Sequence, residues 1–228
     1  ITRQSAFAVY PTPVGVFGAG LAYLHMGEIV GFDVDEYGEP FRISNFTCYD
    51  LAGTVSYAKT IALHTSVGVN LKVIQESLQR YNTIGFGGDV GLLFCIGDFL
   101  GPGAWPPVRN ITIGCDIKKL GVLGRFITKT EKFPLEVSVG LAARPLGNAL
   151  IVLAELNKPV DGSYGGHFGL EWALCDILTL RAGYDTANEF GTGITCGLGI
   201  KVSDWMLDYA YVPYSDLGET HRVGIQVS

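Results

Sequence analysis

Between residues 190 and 200 the chain reads FGTGITCGLGI. Taken alternately, one set of positions holds Phe190, Thr192, Ile194, Cys196, Leu198 and Ile200, and the other holds Gly191, Gly193, Thr195, Gly197 and Gly199. A β-strand sends successive side chains to opposite faces, so this stretch has one apolar face and one face that is nearly bare. Four other segments repeat the pattern with charges added to the bare side. In LTLRAGYD (178–185), Leu178, Leu180, Ala182 and Tyr184 oppose Thr179, Arg181, Gly183 and Asp185. In SVGVNLKV (66–73), Val67, Val69, Leu71 and Val73 oppose Ser66, Gly68, Asn70 and Lys72. ITIGCDIK (111–118) and SDWMLDYAY (203–211) follow the same rule, with Asp116, Lys118 and Asp208 on the polar side.

A water-soluble sheet turns charged residues outward, and glycine solvates a surface poorly. Glycine beside charge suits an enclosed space, where bare backbone leaves room for large polar neighbours. The apolar face is then the one that meets the surroundings. Composition agrees: 17% of the residues are charged and 48% are hydrophobic, against about 25% charged in ordinary soluble domains. No apolar run approaches the roughly 18 residues of a membrane helix. These features predict an all-β chain forming a transmembrane antiparallel up-and-down β-barrel as a single domain over residues 1–228, with membrane lipid as its surroundings. A net charge of -6 with no basic stripe argues against nucleic acid as a partner.

Thirteen strands are expected, near 4–10, 14–25, 47–58, 64–76, 85–96, 110–119, 132–143, 149–157, 166–173, 178–184, 190–201, 205–212 and 220–228. Many run to about ten residues, the length a tilted membrane strand needs. Short turns follow the first, third, seventh, ninth and eleventh strands, and longer segments follow most even-numbered ones, as in outer-membrane barrels. The fifth connection, GDFLGPGAWPPV, departs from this rule. Such barrels close with an even number of strands, so the odd count predicts about 14 in the complete barrel, with a strand before Ile1 and an aromatic residue after Ser228.

The polar faces carry Lys72, Asp89, Asp116, Lys118, Arg144, Glu171, Arg181, Asp208 and Arg222. They form either a lined ligand path or a salt-bridge network that fills the lumen, and buried charges demand pairing. Glu171, Arg181, Asp208 and Arg222, on neighbouring strands, are expected to meet. Phe99, Leu100, Trp105 and Pro106 put apolar side chains on the short-turn rim, as a partner-docking loop or as a disordered one. No cofactor, metal or catalytic motif appears. The four histidines lack ligand spacing, GFGGDVG (85–91) lacks the GK[ST] of a phosphate loop, and no GxSxG elbow is present. Five scattered cysteines read as small apolar strand residues.

The segments HFGLEWALCDILTLRAGYD (167–185), GITCGLGIKVSDWMLDYAYVP (193–213) and DLGETHRVGIQVS (216–228) resemble the C-terminal hairpins of the PorV-type outer-membrane proteins, relatives of the FadL long-chain fatty-acid transporters. GAGLAYLHMGEIVGFD (18–33), DLAGTVSYAKTI (50–61) and VGVNLKVIQESL (67–78) match more loosely. The resemblance implies a fourteen-stranded barrel with an N-terminal strand and an inward-folded segment, located in the bacterial outer membrane. It also implies a non-enzymatic role in which exported proteins, as in type IX secretion, or a hydrophobic ligand are bound and handed on. An anchoring subunit of an envelope complex and a FadL-like uptake channel are the alternatives. Other envelope or secreted proteins are the expected partners.

Overall fold

The computed structural model describes residues 1–62, 64–78, 81–96, 110–126, 129–187, 191–214 and 218–227. The strands are β1 (Thr2–Thr12), β2 (Gly15–Ile29), β3 (Phe32–Val34), β4 (Pro40–Arg42), β5 (Phe46–Ala62), β6 (Thr65–Leu78), β7 (Tyr81–Cys95) and β8 (Ile111–Phe126). Then come β9 (Lys129–Lys132), β10 (Glu136–Ala143), β11 (Leu150–Pro159), β12 (Gly165–Ala173), β13 (Leu178–Asp185), β14 (Ile194–Val202), β15 (Trp205–Pro213) and β16 (Glu219–Val227). Thirteen of them follow one another in hydrogen-bonded order, β1-β2-β5-β6-β7-β8-β10-β11-β12-β13-β14-β15-β16. Each strand on this path is a next neighbour in sequence, apart from the short β3, β4 and β9 that the path skips, and the printed pairings along it are antiparallel. This is the up-and-down meander that period-two alternation and frequent turn residues favour.

The thirteen path strands coincide with the thirteen expected from sequence, but their ends differ. β5 reaches 17 residues and β8 reaches 16, whereas β12 to β16 are eight or nine residues long. Backbone pairing continues past the apolar alternation because every N–H and C=O gains a partner by it. The segment 77–84, expected as a loop, is therefore largely strand. Three short strands are additions. β3 and β4 form a hairpin inside the long segment after β2, and β9 folds back on β8. Phe133, Pro134 and Leu135 separate β9 from β10 where one strand over 132–143 was expected. Proline lacks the N–H that a ladder needs. Likewise β14 begins at Ile194, after Gly193 at φ +73°.

Two compact units divide the chain. One comprises Ile1–Thr60, Val67–Val90 and Ile117–Leu135, the other Ile61–Ser66, Gly91–Asp116 and Glu136–Ser228. Burial is inverted in both. Among the described residues the buried side chains are Cys48 and the polar Thr83, Asp89 and Ser138. Large apolar residues are exposed along the strands: Val69, Leu71 and Val73 on β6, Phe168, Leu170 and Trp172 on β12, and Val223, Ile225 and Val227 on β16. On β12 and β13 every second residue is exposed, and those residues are the apolar ones. Water would penalise each of these side chains by roughly 1.5–3 kcal/mol relative to burial; a hydrocarbon surrounding removes that cost.

The candidate lumen site

Each unit carries a polar cluster that bridges strands on their less exposed faces. In the first unit the centre is Asp89, on β7 between Gly87 and Gly91. Lys72 on β6 forms an ion pair with its Oδ2, Asn70 Nδ2 donates to the same oxygen at 3.1 Å, and the backbone N–H of Lys119 donates to Oδ1 at 3.0 Å. Lys119 takes a positive φ of 62°, uncommon for a residue with a side chain, and so aims its amide at the carboxylate. Three donors thus converge on one nearly buried acid. Asn70 and Lys72 reach it because they sit two apart on β6, on the same face.

In the second unit the centre is Arg181 on β13. Register pairs Glu171 of β12 with Arg181, Arg181 with Gly197 of β14, and Gly199 of β14 with Asp208 of β15. Arg181 Nε donates to Glu171 Oε2 at 2.7 Å, and Nη1 donates to Asp208 Oδ1 at 2.5 Å. Asp208 lies two strands from Arg181, about 10 Å across the sheet. The bare face of β14 makes that reach possible. A Cβ at Gly197 would sit 3.4 Å from Arg181 Cβ, and one at Gly199 would sit 2.9 Å from Asp208 Oδ1 and 3.1 Å from Arg181 Nη1. The guanidinium crosses the sheet through the space that the glycines leave, which is the environment FGTGITCGLGI requires.

Beside this triad a cavity of about 610 Å³ opens among β13, β14, β15 and β16. Arg181, Asp208, Thr195, Tyr214, Val212 and Arg222 are among the residues that line it. Glycines 183, 197 and 224 contribute no side chain to it.

The expected meeting of four charged residues is thus a meeting of three. Arg222 pairs in register with Ala210, lies on the same cross-strand row as Arg181, and makes no hydrogen bond or ion pair among the described residues. The reason is geometric: Arg181 has already drawn both carboxylates toward itself. Asp116 stands beside Gly91 on the neighbouring strand, where a Cβ would lie 3.6 Å from its own, apart from the Arg181 triad. Arg144 sits in the turn after β10, where its N–H donates to Asn110 O and its C=O accepts from Asn110 Nδ2. Phe99, Leu100, Trp105 and Pro106 lie outside the described residues.

Two features escape side-chain patterning. The Lys119 amide is invisible to it, because an unusual φ is not written in residue type. The second is a network on the opposite, apolar face. Tyr209 Oη and His221 Nδ1 lie 2.7 Å apart, Tyr211 Oη donates to Glu219 Oε2 at 2.7 Å, and His221 Nε2 lies 3.3 Å from Glu219 Oε1. The first unit has a counterpart in Tyr23, His25 and Tyr49, with ring centroids about 6 Å apart. Tyr211, Glu219 and His221 lie near the β15–β16 connection, and His25 and Tyr49 near the β2–β5 connection. Amphipathic rings at such positions match the aromatic girdles of membrane barrels.

No protein-family model matches the chain, and no curated protein matches it. Solved structures do. The chain is similar to the toluene transporter TodX of Pseudomonas putida, with a TM-score of 0.64 and 14% identity over 91% of this chain and 75% of that one. A TodX mutant described as a monoaromatic hydrocarbon channel gives a TM-score of 0.65 and 12% identity over 98% of this chain and 80% of that one. A second TodX crystal structure gives 0.62 and 13% over 98% of this chain and 79% of that one. At these identities the likeness is one of fold. Together with the inverted burial it establishes the fold as a transmembrane antiparallel β-barrel.

Proposed function

We propose that this chain is a non-enzymatic channel of the bacterial outer membrane that admits small hydrophobic molecules. The observation that carries the proposal is the lumen cavity of about 610 Å³, a volume within the range of small-molecule sites. It occurs in a fold shared with proteins described as a toluene transporter and a monoaromatic hydrocarbon channel. The secretion-shuttle role rests on the PorV resemblance alone, and the loop that would dock a protein partner lies outside the described residues. Uptake through a barrel needs a path past the lumen charges as well as a site, and the cavity supports the site.

The test is uptake of radiolabelled toluene by cells with an intact lipopolysaccharide layer and no channel of their own, with and without the full-length protein. Uptake well above the vector control is the expected result. Vector-level uptake, with the barrel folded in the outer membrane by heat-modifiable migration, would overturn the proposal. Co-purification of exported proteins sharing one C-terminal domain would replace it with the shuttle role.

A further inference from the structure

One stretch of the first unit departs from the rule that large apolar side chains face outward. β9 leaves the sheet path and folds back on β8, and Phe133, Pro134 and Leu135 then lead to β10 without belonging to a strand. The Phe133 ring lies over Gly87 of β7, where a Cβ would meet its ring carbons at 3.5 and 3.6 Å. Gly87 shares a strand face with Asp89, two residues and about 7 Å further along. Phe133 therefore stands on the polar face beside the Asp89 cluster, and it is half-buried there. Toward the start of β7 the same face is covered as well, with Gly85 buried and Thr83 4% exposed.

The floor and its cover are held differently. β7 is tied to β6 and β8 by the donors that converge on Asp89. β8 also approaches β7 so closely at Gly121 that a Cβ would collide with the Phe86 carbonyl oxygen. The cover is one aromatic ring on a glycine, a contact made by dispersion, in which each atom pair contributes little. Pro134 restricts the preceding Phe133 to extended backbone, which gives the ring a set direction. Resting on the channel function above, we propose that Phe133 is the gate residue of that channel. Seated on Gly87, the ring narrows the lumen beside the Asp89 cluster and closes the passage. Lifted from it, the ring uncovers the bare backbone of Gly85 and Gly87, and a small apolar molecule passes the charges along that floor.

Uptake of radiolabelled toluene by the same cells tests this on full-length variants, with heat-modifiable migration as the check on folding. Phe133→Ala should raise the uptake rate by about threefold or more, because opening of the cover then no longer limits passage. Phe133→Leu, which keeps an apolar cover without the ring, should fall between that variant and the native protein. A Phe133 that only packs the fold would give the reverse order, since its loss lowers the amount of folded barrel and uptake with it. Uptake by folded Phe133→Ala no faster than native overturns the gate and leaves the channel standing. Should Phe133→Ala fail to fold, folded Phe133→Leu decides: faster uptake than native supports the gate, and equal or slower uptake overturns it. Vector-level uptake by both the native protein and folded Phe133→Ala overturns gate and channel together.

Discussion

The two polar clusters use the same residue types to opposite ends. Around Asp89 an acid is at the centre, donors approach from two side chains and one backbone amide, and the side chain is 10% exposed. Around Arg181 a base is at the centre with two acids at its sides, and all three side chains remain about one-third exposed. The first cluster satisfies a nearly buried acid from three directions. The second is asymmetric: it satisfies its base, leaves Arg222 out of the pairing among the described residues, and lies beside a cavity. A lumen needs both kinds, one that ties strands together and one that leaves chemistry accessible.

The largest effect should come from breaking what the clusters share, an apolar strand face toward lipid. Val69 lies next to Asn70 on β6 and is 40% exposed. Val69→Arg places a charge against hydrocarbon and is expected to lower stability by about 2–4 kcal/mol, measured by denaturant titration in bilayers. Unchanged stability would reverse the face assignment for the whole strand. Asp89→Ala comes next, with an expected loss of about 2–3 kcal/mol, because it removes the nearly buried carboxylate on which the Lys119 amide, the Asn70 amide and the Lys72 ammonium converge. Arg181→Ala should cost less, about 1–2 kcal/mol, since water reaches the two orphaned carboxylates and screens them. Equal losses in these two variants would erase the distinction between a closed and an open cluster. Gly199→Ala is the smallest, about 1 kcal/mol, because the added methyl meets only the tips of Asp208 and Arg181. In an Arg181→Ala background that loss should vanish, and a double-mutant cycle with no coupling would show that the glycine serves another purpose.

Strand positions were legible in the sequence because period two is a strong and repeated signal. Strand ends were not, since β5 and β8 extend by backbone pairing that no side chain announces, and Pro134 alone marks where β9 and β10 divide. Parity put Glu171, Arg181, Asp208 and Arg222 on one face, but parity cannot supply register. Only register shows that Gly197 and Gly199 open a lane from Arg181 to Asp208 and that Ala210 stands beside Arg222. Asp89 was visible as a charge on a glycine-rich strand, whereas its third donor depends on the φ of Lys119. The functional choice between shuttle and channel was least legible, because both are built on the same wall of alternating residues and differ in what passes through it.

A strand that alternates never gathers its apolar residues into one run. Machinery that retains segments in an inner membrane responds to hydrophobicity summed over a window of about 19 residues. Here the glycines and charges of the bare face dilute that sum throughout the chain. The unfolded polypeptide therefore offers such machinery little to retain, although its folded form presents apolar strand faces. Its affinity for lipid is created by folding, when strand pairing sorts Val69, Leu170, Val223 and their like onto the apolar faces of their strands.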